Sequence, residues 1–177
     1  MDRGWHVLPL AAFVAVPAVH ATEYLSLEAA QRAAFPDATA FVPLPVDRAA
    51  DARAQLAEVA RAPGARDPRA WRATAGAKTL GTFYVDAVIG KQEYIDYALA
   101  VDAMGRVLWL EVLVYRETHG WEIRNDRWRS QFAGKTAQDP VAINADIANI
   151  SGATLSSRHV SDGVRRLLAI DAILRTR

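Results

Sequence analysis

The 177-residue chain contains no cysteine. That absence excludes disulfides, thiolate zinc sites, cysteine-held iron–sulfur clusters, haem attachment through C-x-x-C-H and a lipidated cysteine anchor. An excess of one charge is also missing. The formal net charge is +1 with 23% charged residues, so there is no footprint for a polyanion, and nucleic acid is not expected as a partner. The four histidines show no pairing at metal-ligand spacing, so no metal site is expected. The apolar run from Val7 to Val19 is shorter than the roughly 20 residues of a membrane span, and Pro9 and Pro17 interrupt it. What the chain does have is a 51% hydrophobic composition, ordinary for a folded globular protein. Without cross-links, apolar packing has to hold it together.

The amino terminus, MDRGWHVLPLAAFVAVPAVHATEYL, places Arg3 before that apolar run and Val19-His20-Ala21 after it. This order resembles a cleaved secretory signal over residues 1–21, with export to the periplasm or another extracytoplasmic compartment. Residues 22–177 are then expected to form a single domain, with a helical part over about 22–70 and a sheet and site part over about 71–177.

Ser26 is an N-cap candidate for a short helix that ends at Phe35-Pro36. Asp47 to Ala62, rich in Ala, Arg, Leu, Gln and Glu, reads as a second helix stopped by Pro63-Gly64. From Trp71 to Tyr115 the pattern changes to Val, Ile, Tyr, Phe and Trp punctuated by GKQ and DAMG, which predicts an antiparallel sheet of at least three strands. In RVLWLEVLVY, strict alternation assigns Leu108, Leu110, Val112 and Val114 to the core, with Glu111 at a sheet edge. A loop and short amphipathic helix follow, with Ile123, Trp128 and Phe132 as the apolar contacts. In the C-terminal helix Val160, Val164, Leu167 and Leu174 share one face, and chain-end fraying accounts for Asp171. The expected class is α+β: an antiparallel sheet flanked by helices, with a C-terminal helix after an S-G-A-T loop.

Chemistry concentrates in ISGATLSS, residues 150–157. Gly152 permits a left-handed or closely approached backbone, Ala153 leaves space, and Thr154, Ser156 and Ser157 set hydroxyls beside unpaired helix amides. Such a helix start can hold a phosphate. The plainer reading is an N-cap made by Ser156 or Ser157 with no ligand, and spacing alone favours it.

The residues also carry a resemblance. Ser151-Gly152-Ala153-Thr154-x-Ser156-Ser157, with Asp146 upstream, is similar to the flavinylation motif of the FMN-binding domain family. That domain occurs in the Rnf and Nqr ion-pumping redox complexes and in many exported electron carriers. Glu117-Thr118-His119-Gly120 and Trp128-x-x-Gln131-Phe132-x-Gly134-Lys135 resemble two further family segments in the same order. The likeness covers roughly residues 75–170. It implies FMN as cofactor, joined through its phosphate to the hydroxyl of Thr154 by a Mg-dependent flavin transferase that uses FAD and releases AMP. It also implies an electron carrier with no catalytic residue of its own, whose partners are the transferase and membrane or periplasmic redox proteins. Asp146 lies five positions before Ser151, whereas the family often has its acidic residue two or three before. His119 and Trp121 replace a proline and a leucine common in the pump subunits, which fits a stand-alone carrier.

Under this resemblance the cofactor-binding set is Ser151, Gly152, Ala153, Thr154, Ser156 and Ser157, with Glu117, Thr118, His119, Gly120 and Trp121 from the loop and Arg158 near the phosphate. Each has a bland counterpart. Glu117 and His119 equally suit exposed loop positions, Trp121 suits packing on the sheet, Arg158 and His159 suit a solvated helix face, and Lys135 suits holding its loop. Two other functions stand beside the electron carrier: a sensory or assembly module of the same fold without flavin, and a flavin reductase, for which G-x-G-x-x-G is lacking.

Overall fold

The computed structural model describes residues 22–46 and 66–176. The signal segment 1–21 and the helix expected over Asp47 to Ala62 lie outside the described residues.

Six strands form one antiparallel sheet in the order β1-β6-β5-β4-β3-β2. β1 is Thr22–Glu23, β2 Ala40–Leu44, β3 Arg69–Ala75, β4 Lys78–Ile89, β5 Tyr94–Asp102 and β6 Val107–Tyr115. Helix α1, Leu27–Ala34, follows β1, and Ser26 caps it by accepting from the Ala29 amide at 3.3 Å. Between β6 and the last helix, a 3-10 turn at Trp121–Arg124, a short α2 at Asp126–Arg129 and a second 3-10 turn at Ser130–Phe132 fold against the sheet. The long C-terminal helix α3 runs from Thr154 to Arg175. The α+β class and the C-terminal helix expected from the pattern are both present.

Both sheet faces are covered, which is why the central strands read as continuous apolar runs. On one face Tyr84, Tyr97, Leu99 and Val112 pack under Val160, Val164, Leu167 and Leu168 of α3, joined by Ile123, Trp128 and Phe132. On the other, Phe83, Ala98, Ala100 and Leu113 pack under Ala30, Ala34 and Phe35. Large side chains with no exposure, such as Phe83 and Leu167, each contribute about 1.5–3 kcal/mol by leaving water.

The structure corrects three expectations. First, the N-terminal part is not simply helical. β1 and β2 form the two edges of the sheet, and β2 tolerates Pro43 because an edge strand can spare a donor.

Second, the predicted core face of β6 holds only for Leu110 and Val112. Ala100 pairs with Trp109 and Val101 with Val107, leaving Leu108 extra; Tyr97 pairs with Val112 and Asp96 with Val114, leaving Leu113 extra. Each extra residue reverses the alternation, so Leu108 is 47% exposed while Val107 and Tyr115 join the α3-side core. Glu111 does lie on the open stretch of β6, because β1 pairs only with Val114 and Tyr115, and Arg129 both pairs with its carboxylate and donates to the Leu110 carbonyl.

Third, Asp171 does not fray. It is 1% exposed, accepts from the Tyr84 hydroxyl at 3.0 Å and is held by Arg175 at 2.7 Å.

Candidate functional site

Gly152 has φ +84°, and a Cβ at this position would meet nothing within 4 Å, so its requirement is the left-handed turn and not a close approach. That turn delivers the chain into α3 with Ala153 as N-cap and Thr154 as first residue. Among the described residues no side chain caps this helix start. The N-cap expected from Ser156 or Ser157 is thereby corrected. Both are buried inside the first turns, and the Ser157 hydroxyl donates backward to the carbonyls of Ala153 and Thr154. The first amides of α3, with no partner inside the helix and none from a cap, converge on the positive end of a 22-residue helix.

Thr154 is half-buried at the mouth of this helix. Its hydroxyl accepts from the side-chain amide of Asn149 at 3.2 Å, and the Asn149 carbonyl oxygen accepts from Ser157 Oγ at 3.0 Å. Asn149 is not identifiable from the sequence pattern because it lies in a connecting segment outside any motif.

The stretch leading to Thr154 is gripped by the W-x-x-Q-F-x-G-K segment. Trp128 Nε1 donates to the Ala148 carbonyl at 2.8 Å, Gln131 Oε1 accepts from the Ala148 amide at 2.8 Å, and Lys135 pairs with Asp146 at 2.8 Å. The same segment is tied to β6, where Val107 donates to the Lys135 carbonyl and Gly134 to that of Val107. Lys135 therefore holds its loop, in keeping with its plainer reading. Burial works against the Asp146 carboxylate, yet hydrogen bonds from Lys135 and from the amides of Ala142 and Val141 outweigh it and hold the group below the usual carboxylate range.

The other wall is the loop after β6. Tyr115 donates from its hydroxyl to the His119 carbonyl at 2.5 Å. Burial is the main cause that raises the Tyr115 pKa and keeps this donor protonated. Gly120, at φ +92°, turns the loop back so that a Cβ there would lie 2.8 Å from the Tyr115 hydroxyl and 3.3 Å from the Ala153 Cβ. This contact seats the E-T-H-G loop directly on the start of α3. Glu117 then reaches to the β4–β5 hairpin, where its Oε1 accepts from the amides of Gln92 at 2.6 Å and Glu93 at 3.0 Å.

A cavity of about 360 Å³ lies between these pieces, lined by Lys91, Gln92, Glu117, Thr118, His119, Gly152, Ala153, Thr154, Leu155 and Ser156. The volume falls at the lower end of the range for small-ligand pockets. Of the residues expected at the site, Glu117, Thr118, His119, Gly152, Ala153, Thr154 and Ser156 line it together, while Gly120 and Ser157 support it from behind. Ser151, Arg158 and Trp121 do not line it. Trp121 is 61% exposed, which corrects its packing on the sheet, and Arg158 is exposed on α3. His159 is half-buried and its Nδ1 lies 2.7 Å from the Ile89 carbonyl. Lys91, Gln92 and Leu155 are additions that the sequence did not single out; the first two read there only as hairpin punctuation.

An antiparallel sheet that seats an open cavity against an uncapped helix start, with a hydroxyl at its mouth, defines the domain as α+β with a candidate ligand site at the start of α3. Residues 90–169 match the model of the FMN-binding domain family, described as FMN-binding domain. This is the family to which the three motifs pointed, and the match supports FMN as a cofactor of the domain. No curated protein matches the chain. Strands β1 to β4 precede the matched residues and complete the same sheet. The residues present fit the cofactor: free helix amides and Thr154 suit its phosphate, and the loop and hairpin walls leave room for a planar group.

Proposed function

We propose that the protein is an extracytoplasmic electron carrier with FMN joined covalently through its phosphate to Thr154. The observation that carries this reading is the Thr154 hydroxyl at an uncapped helix start, on the lining of an open cavity. In the loading reaction the Thr154 oxygen bonds to the FMN-side phosphorus of FAD. The pyrophosphate P–O bond breaks, the hydroxyl proton is lost, and AMP leaves. A Mg-dependent flavin transferase is the partner for this step.

Bound FMN supplies the electron chemistry, and the chain supplies attachment, orientation and electrostatics. Asn149 orients the acceptor hydroxyl, the first amides of α3 neutralise phosphate charge, and Trp128, Gln131 and Lys135 keep the approach to Thr154 in place. Thr118, His119 and Leu155 are exposed at the cavity rim, which suits exchange of electrons with redox proteins that never enter the site. The signal-like residues 1–21 support export, where covalent attachment replaces the mass action that dilute flavin cannot provide.

The test is the intact mass of the chain co-expressed with a flavin transferase. Wild type is expected to gain the mass of FMN less one water, and Thr154→Ala to gain nothing. Modification that survives in Thr154→Ala would overturn the attachment site, and an unmodified wild type beside an active transferase would favour a flavin-free module.

A further inference from the structure

Once the phosphate is assigned to the helix start, the remaining cavity wall is loop 117–119 together with Lys91 and Gln92 of the β4–β5 hairpin. Among the lining residues Lys91 is the one lysine or arginine, and its ammonium makes no hydrogen bond or ion pair with the described residues. Glu117 is the only lining carboxylate, and its Oε1 already accepts two backbone amides of the same hairpin. His119 is the other titratable side chain there and is exposed.

A hairpin tip would ordinarily be one of the looser parts of a sheet, and Lys91 to Glu93 are all exposed. This one is tied down three times. Gly90 donates to the Glu93 carbonyl at 2.7 Å and closes the turn. Glu117 then accepts from two successive amides across the gap between hairpin and loop. The approach is so close that a Cβ on Gly90 would meet Glu117 Oε1 at 2.6 Å, so only glycine leaves the carboxylate its place. The loop bearing Glu117 is in turn seated on α3 through Tyr115 and Gly120. Hairpin, loop and helix start are thus one mechanical unit, with Lys91 at its far end.

We propose that Glu117 is a positioning residue that locks the β4–β5 hairpin so that the Lys91 ammonium lies along the flavin cavity and raises the reduction potential of the bound cofactor. The proposal rests on the FMN reading above and deepens it. Reduction adds negative charge to the ring system, and a cation kept beside the cavity stabilises the reduced form more than the oxidised one. The Lys91 side chain is exposed, so the clamp acts by holding the backbone that carries it beside the cavity, and the effect is screened by salt.

The experiment has two arms. In the first, the midpoint potential of FMN-loaded wild type, Lys91→Gln, Glu117→Ala and the double variant is measured by spectroelectrochemical titration at low and high salt. Lys91→Gln is expected to lower the potential of the loaded protein at low salt, and the effect of Lys91→Gln is expected to shrink in the Glu117→Ala background. In the second, hydrogen exchange is followed at the Gln92 and Glu93 amides of the full chain without flavin. Glu117→Ala is expected to speed exchange by about tenfold or more, and Glu117→Gln, which keeps an acceptor oxygen, to restore most of the protection. An unchanged potential in loaded Lys91→Gln overturns the role of the lysine, and unchanged exchange in Glu117→Ala overturns the clamp. A wild type that never takes up flavin sinks the attachment reading instead, and the exchange arm then still judges the clamp.

Discussion

The side-chain amide of Asn149 holds the hydroxyl of Thr154 at 3.2 Å while its carbonyl end is held by Ser157, one turn further along the helix. A residue outside the S-G-A-T motif therefore fixes the rotamer of the side chain that the motif presents. Asn149→Ala is expected to slow flavin loading about tenfold or more while leaving the final extent of loading near that of wild type, since orientation is lost but the nucleophile is kept. A time course of mass gain with purified transferase checks this, and an unchanged rate would show that the contact is incidental.

Gly120 combines a left-handed backbone with contact on both sides. Gly120→Ala is expected to cost roughly 1–3 kcal/mol, because its Cβ would sit 2.8 Å from the Tyr115 hydroxyl in a backbone region that L residues avoid. Urea unfolding of the two proteins measures the difference. The same variant should load flavin poorly, because the loop rests on Ala153 and Ser156 through this position.

Asp171 joins the sheet to the last helix through Tyr84. Asp171→Ala removes the carboxylate that accepts from the Tyr84 hydroxyl, a buried group whose pKa is raised first by desolvation and then by Asp171. A loss of about 2–4 kcal/mol is expected, with Asp171→Asn intermediate, by chemical denaturation. A loss under about 0.5 kcal/mol would restore the frayed-end view of this residue.

Asp146 makes a pH-dependent contribution. Its folded pKa lies below its unfolded value, so the charged form is favoured by folding. The stability it confers is complete above the unfolded pKa of about 3.9 and is lost as the pH falls through the lower folded value. Asp146→Asn is expected to cost roughly 1–3 kcal/mol at pH 7, through Lys135 and the Val141 and Ala142 amides, and the gap to wild type should close below about pH 4. Denaturant midpoints of both proteins across that range report it.

Much of this was legible in the chain because it was local. Ser26 capping α1, the β4 to β6 meander and the inward face of α3 follow from side-chain period and turn residues over a few positions. The departures came where the outcome depended on distant partners. Two bulges against β5 altered the faces of β6, and the open edge beside β3 turned a proline-bearing segment into β2. Asp171 looked like part of a loose end because its partner, Tyr84, is 87 residues away.

At the helix mouth the adjacent residues made legible a glycine that can turn left-handed, a small residue and a run of hydroxyls, but their spacing favoured a cap by Ser156 or Ser157, and the uncapped start at Thr154 was set by the fold. The sequence by itself determined the order of the three motifs. The tertiary structure alone decided that Trp128, Gln131 and Lys135 hold the approach to Thr154, and that Glu117 ties a hairpin carrying Lys91 to the same cavity. Those contacts join elements remote in the chain, and their geometry is set by how the sheet and α3 pack and not by any local preference.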